Sequence, residues 1–202
     1  MSRALYAILE WITRFAYINA LWIIFTLAGA ILLGLFPATV AMFSVIRQWL
    51  KGKTDLPIFS TFWQYYKTEF LKSNRLGLLV YLVALIIGFN LFFLYANIGE
   101  LLTWTSAPLL AGIILFVFIL FYLFPAYAHY DLGLFQLIKN AFLTMLVSPI
   151  HNVVIIISLV AFYFIVTVIP ALAFIFGASF YGFITMWFAL HAFNRIQEKQ
   201  SA

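Results

Sequence analysis

Five stretches of this chain, residues 17–36, 76–95, 107–124, 153–171 and 173–191, contain no Asp, Glu, Lys or Arg. Each is close to the roughly 20 mainly apolar residues that cross the hydrocarbon core of a bilayer. Such a run satisfies its own backbone polar groups only as a helix. Charged residues make up 8% of the chain, against about a quarter in a typical soluble domain, so water could not hydrate its surface. The expected fold is therefore all-α: a polytopic transmembrane bundle of about five spans, with lipid as its main partner. The break between the last two spans is placed at Pro170. The apolar run from Tyr17 is too long for a cleaved leader, and the first span is expected to be retained.

Orientation is read from Lys and Arg. With five spans, Arg47, Lys51, Lys53, Lys67, Lys72, Arg75, Lys139, Arg195 and Lys199 fall on one side, assigned to the cytoplasm with the C-terminus. Arg3 and Arg14 fall on the other, against the rule. The net charge of +5 lies beside the spans, where anionic headgroups are the nearest partners, so no nucleic-acid role is expected.

The chain also resembles itself. Leu35-Phe36-Pro37-Ala38 is matched by Leu123-Phe124-Pro125-Ala126. Trp63-Gln64 with Lys67 and Phe70 is matched by Phe135-Gln136 with Lys139 and Phe142. Each copy reads as a span, an exit at Pro37 or Pro125, a cytoplasmic interfacial segment and a second span. Two-span units keep their orientation, which describes a parallel repeat. The whole is one membrane domain, residues 1–202: an amphipathic segment 1–16, units 17–95 and 96–171, then a last span and tail 172–202.

The most informative polar region is residues 58–74. Phe59, Phe62, Trp63, Tyr66 and Phe70 share one helical face, with Lys67 beside them. The pattern fits a helix lying in the headgroup region, and the same face is the candidate docking surface for a partner.

Catalytic chemistry is not expected. There is no cysteine. Gly52-Lys53-Thr54 ends like a phosphate-binding loop, but the glycine required five residues earlier is Arg47. His129, His151 and His191 lie near span ends, and His129 with Asp131 lacks the helical spacing of a metal pair. No cofactor and no metal follow from these residues. The spans lack the ionisable groups that ion-coupled transporters place in the bilayer. Their polar residues include Asn19, Thr26, Asn90, Ser158, Thr167 and Thr185, with Asn90 expected to bond a neighbouring helix.

The run Phe36-Pro37-Ala38-Thr39-Val40-Ala41-Met42-Phe43, followed by Arg47 and Trp49, resembles the YesL-like family of bacterial integral membrane proteins. So do Phe62-Trp63, Tyr66-Lys67, Glu69-Phe70, Ser73-Asn74 and Leu76-Gly77, with a weaker match at Asp131 and Lys139-Asn140-Ala141-Phe142. That family is a domain of unknown function with no catalytic residues to carry over. Its members occur in Gram-positive bacteria beside carbohydrate importers and glycoside hydrolases. The resemblance implies a non-enzymatic accessory or scaffold in the bacterial plasma membrane, linked to oligosaccharide uptake and partnered by an ATP-driven carbohydrate importer. The alternative is a transporter or permease subunit moving a small solute.

Overall fold

The computed structural model describes residues 3–96 and 106–201, with side chains over 5–96 and 106–196. The connection bearing Glu100 and the Lys199 side chain lie outside the described residues. Seven helices are present among the described residues: α1 (Arg3–Ala28), α2 (Leu32–Leu50), α3 (Ile58–Ala96), α4 (Ser106–His129), α5 (Leu134–Val147), α6 (Pro149–Val168) and α7 (Ala171–Ser201). Six of them, all but α5, are long and apolar enough to cross a membrane.

The sixth span comes from the first apolar run. Residues 17–36 are not one span; the chain reverses at Gly29-Ala30-Ile31, and α1 packs antiparallel to α2. The Ala30 N–H donates to Leu27 O (3.0 Å) and the Ile31 N–H to Thr26 O (2.9 Å), the paired bonds of a Schellman helix end. The residue in the left-handed position is Ala30 (φ 56°), where glycine is usual. Gly29 and Gly34 serve a different purpose. A Cβ on either would run into backbone of the other arm, so the hairpin closes only with both bare.

The end of α2 repeats this motif with the expected residue. Gly52 (φ 84°) donates to Trp49 O (2.9 Å), and Lys53 N–H donates to Gln48 O (3.0 Å). Gly52 is thus a helix stop. The two ends give a paired prediction. Ala30→Gly should stabilise by about 1 kcal/mol, and Gly52→Ala should destabilise by a similar amount, since a Cβ disfavours the left-handed well. Thermal unfolding in detergent would check both signs; stabilisation by neither change at Ala30 nor loss at Gly52 would remove the strain from the account.

The hairpin alters the charge pattern. With α1 reversed, Arg3 and Arg14 lie toward the same end as the other nine basic residues, and Arg14 Nη1 donates to Thr54 O (2.5 Å) beside Lys53. All eleven basic positions then belong to one end of the bundle, here called the basic end.

The 58–74 segment is also corrected. It is not a separate connecting helix but the first part of α3, which runs unbroken for 39 residues. At 1.5 Å per residue that is about 58 Å, well beyond the roughly 30 Å hydrocarbon core, so part of α3 stands outside it. The second copy is broken instead. α5, at 14 residues, is too short to cross, and Ser148 with Pro149 ends it before α6 begins. Counting from the matched Trp63 and Phe135, the position of Pro149 corresponds to Gly77. Proline lacks the amide that would continue the helix; glycine keeps it. Gly77 is also close-packed, since a Cβ there would meet the Phe36 ring.

Two buried clusters hold the bundle. One gathers Ile18, Phe43, Phe62 and Met186 from α1, α2, α3 and α7; the other gathers Tyr122, Leu137, Ile155 and Phe193 from α4, α5, α6 and α7. Outward, Leu82, Leu85, Phe89 and Phe92 on α3 are exposed, as lipid-facing positions should be.

α1 and α7 are joined by Asn19, which is 2% exposed. Its Nδ2 donates to Phe174 O (2.7 Å), and its Oδ1 accepts from the N–H groups of Ala178 (3.0 Å) and Ser179 (3.1 Å). Within an α-helix, Ala178 N–H would be the partner of Phe174 O. Asn19 therefore bonds to both groups of that helical pair and ties α1 to one turn of α7. Asn90, the expected interhelical residue, bonds back to its own helix at Ile86 O (2.7 Å).

Candidate functional site at the basic end

Where α2, α3 and α4 meet at the basic end, their polar side chains converge on a cavity of about 210 Å³. Tyr127 Oη donates to Glu69 Oε2 (2.7 Å), tying the end of α4 to α3. Lys72 of α3 pairs with Asp131, just past α4, at 2.6 Å. Arg47 Nε reaches His129 Nδ1 (3.5 Å), and Gln48 Nε2 donates to Tyr65 Oη (3.1 Å), linking α2 to both partners. The Lys72 ammonium also lies 5.7 Å from the Tyr127 ring centre, a cation–π distance. Its hydrogen bond and positive charge hold the Asp131 carboxyl below the ordinary carboxylate range.

These groups bring Glu69, His129 and Asp131 to one cavity, a convergence the sequence reading did not contain. Glu69 and Tyr127 lie in different helices 58 residues apart, and no local spacing connects them. What the arrangement does is clamp. Glu69 is paired with Tyr127, Lys72 with Asp131 and Arg47 with His129, and no group of three or more metal-binding side chains occurs among the described residues.

The candidate docking face is divided by its own packing. Phe62 and Tyr66 point inward, at 0% and 7% exposure, and cannot meet a partner. They surround Phe25, near the end of α1, with ring centres 5.4 and 5.0 Å away, and Tyr66 Oη donates to Phe25 O (3.2 Å). Phe70 is half-buried, its ring 5.6 Å from that of Tyr66. Phe59, Trp63 and Lys67 stay at the surface, with Lys67 Nζ 5.0 Å from the Trp63 ring centre. Phe25 was not legible as their anchor because the helix reversal that delivers it was not.

Pro37 is no span exit. It lies inside α2, in the second turn, because the preceding span ends at the Gly29–Ile31 reversal. Pro125 lies inside α4, near its basic end. A proline in a helix leaves the carbonyl four residues earlier without its donor. For Pro37 that carbonyl is Leu33 O, and Asn74 Nδ2 of α3 donates to it at 3.0 Å. In the turn before Pro125, Tyr181 of α7 donates to Leu120 O at 3.2 Å. The rings preceding the prolines, Phe36 and Phe124, have centres 5.8 Å apart, so the two Phe-Pro steps lie side by side.

Residues 15–91 match the family model described as "Protein of unknown function, DUF624". The chain is 38% identical over 198 residues to the uncharacterized protein YesV of Bacillus subtilis (strain 168), covering 98% of this chain and 95% of that one. It is 36% identical over 177 residues to the uncharacterized protein YteU of the same organism, covering 88% and 79%. To the uncharacterized protein YesL it is 38% identical over 144 residues, covering 69% and 65%. No solved structure matches. A chain matched by that model, and by a relative of this identity over almost its full length, belongs to the YesL-like DUF624 family.

Proposed function

We propose that the protein is a non-enzymatic accessory or scaffold of the bacterial plasma membrane, with its basic end in the cytoplasm. The observation that carries this reading is the separation of chemistry. The polar side chains of the basic end are paired into a clamp across three helices, with Phe59, Trp63 and Lys67 left outward nearby. A site committed to internal pairing suits holding a fixed cytoplasmic surface better than turning over a substrate. The cytoplasmic side follows from the gathering of basic positions at one end. The link to oligosaccharide uptake, with an ATP-driven importer as the partner, rests on the family resemblance.

Two measurements test it. Lys53→Cys should resist an impermeant thiol reagent in intact cells and react once the membrane is opened; labelling from outside would reverse the orientation. Purification in mild detergent from cells grown on several polysaccharides should enrich one importer, and Trp63→Ala with Lys67→Ala should reduce that enrichment. Recovery without any importer on every carbon source would remove the scaffold reading.

A further inference from the structure

One helical stripe on α7 joins an apolar groove to a cationic pocket. The groove, of about 620 Å³, is walled by α1, α6 and α7, where Leu172, Phe176, Phe180 and Phe183 line it. Along α7 the same face continues through Trp187, His191 and Asn194, at steps of three and four residues. These three line a second pocket, of about 390 Å³, together with Lys51 at the end of α2. The Phe183 and Trp187 rings touch at 5.6 Å, and Trp187 stacks on His191 at 5.7 Å, so the two cavities adjoin through an aromatic step.

The dimensions and chemistry select an occupant. From Leu172 to Ile184 the groove follows α7 for twelve residues, about 18 Å. That is near the thickness of one leaflet, half of a roughly 30 Å core. Its volume holds about twenty water-sized groups, the scale of one acyl chain. Apart from the Trp11 indole, Ser179 is the one polar side chain among its described lining residues, and its hydroxyl is bonded to Phe176 O (3.1 Å). At the pocket, no carboxylate appears among the described lining residues. Partial burial and the like charges of Arg47 and Lys53 depress the Lys51 pKa, so the surroundings favour an anion. Trp187, 44% exposed between the two, is the residue type that settles at headgroup level.

We propose that this stripe is a binding site for an anionic glycerophospholipid, its acyl chain in the α1–α6–α7 groove and its phosphate at Lys51, His191 and Asn194. The lipid would complete the wall between α1 and α6 and tie α7 to the end of α2.

The full chain, purified in mild detergent, is offered dioleoyl phosphatidylglycerol or dioleoyl phosphatidylcholine, and retained lipid is counted by native mass spectrometry. Phosphatidylglycerol should be retained preferentially, with about one lipid per chain. Lys51→Gln should lower that preference about five-fold, the effect of one cation near a headgroup. Ala7→Trp, at an exposed position lining the groove, should abolish retention of both; Ile12→Trp is the second variant if the first elutes aggregated. Equal retention of the two lipids, unaltered by Lys51→Gln, would overturn the proposal. So would a lipid-free dimer at twice the chain mass, which would assign the groove to a second copy. Inorganic phosphate raising the melting temperature where neither lipid does would place a soluble phosphate compound there instead.

Discussion

Replacing Asn19 with leucine should destabilise the protein by about 3 kcal/mol, three buried hydrogen bonds at about 1 kcal/mol each. The substitution removes the side-chain partner of Phe174 O and of the Ala178 and Ser179 N–H groups, in a region without water to replace it. The loss falls on the link between α1 and α7, where the Phe183 ring also packs edge-on to Phe15 at 5.1 Å. The measurement is thermal unfolding in detergent, with Asn90→Leu as the control. Asn90 is exposed and bonds its own helix, so its loss should change stability by no more than about 0.5 kcal/mol, the range for surface substitutions. Equal effects at the two asparagines would mean that Asn19 does not tie α1 to α7.

Asn152→Leu should cost about 2 kcal/mol or more, because it also leaves two buried groups unpaired. Tyr122 is fully buried in α4, and its hydroxyl donates to Asn152 Oδ1 at 2.6 Å. The Asn152 Nδ2 donates to Met145 O at 3.0 Å, in the last turn of α5. One amide thus sets the corner at Ser148-Pro149, where a proline has removed the backbone alternative. Tyr122→Phe alone should cost less, since Asn152 keeps its bond to Met145. The double-mutant cycle should return a coupling of about 0.5–3 kcal/mol, the range for contacting residues. A coupling of zero would detach Tyr122 from the corner. Limited proteolysis near Ser148 is a second readout, and cleavage there should accelerate in Asn152→Leu more than in Tyr122→Phe.

The helical bundle and its solvent were legible because they depend on local properties. A charge-free run of 20 residues has one affordable structure in lipid, and Pro170 marks the α6–α7 break by its own covalent geometry. Gly52 was visible as a glycine, though its place as a helix stop was not. The α1–α2 reversal escaped because its positive-φ residues are Ala30 and Ile31, while Gly29 and Gly34 serve close backbone approach. Missing that turn misplaced Pro37 at an exit and put Arg3 and Arg14 on the wrong end. The long α3 was read as two pieces because its composition changes near Asn74, and helix continuity depends on hydrogen bonding, which a polarity change does not interrupt.

The clamp and the helix brackets belong to another scale. Glu69 finds Tyr127, Lys72 finds Asp131, Asn74 finds Leu33 O and Asn19 enters α7 across separations of 41 to 155 residues. Each residue announced its capacity to hydrogen-bond; none announced its partner. In a chain with so few polar groups, the partner is chosen by which helix faces are pressed together after the apolar surfaces have packed. Local chemistry therefore determined that this chain crosses a membrane as helices, and packing determined which of its few polar atoms meet.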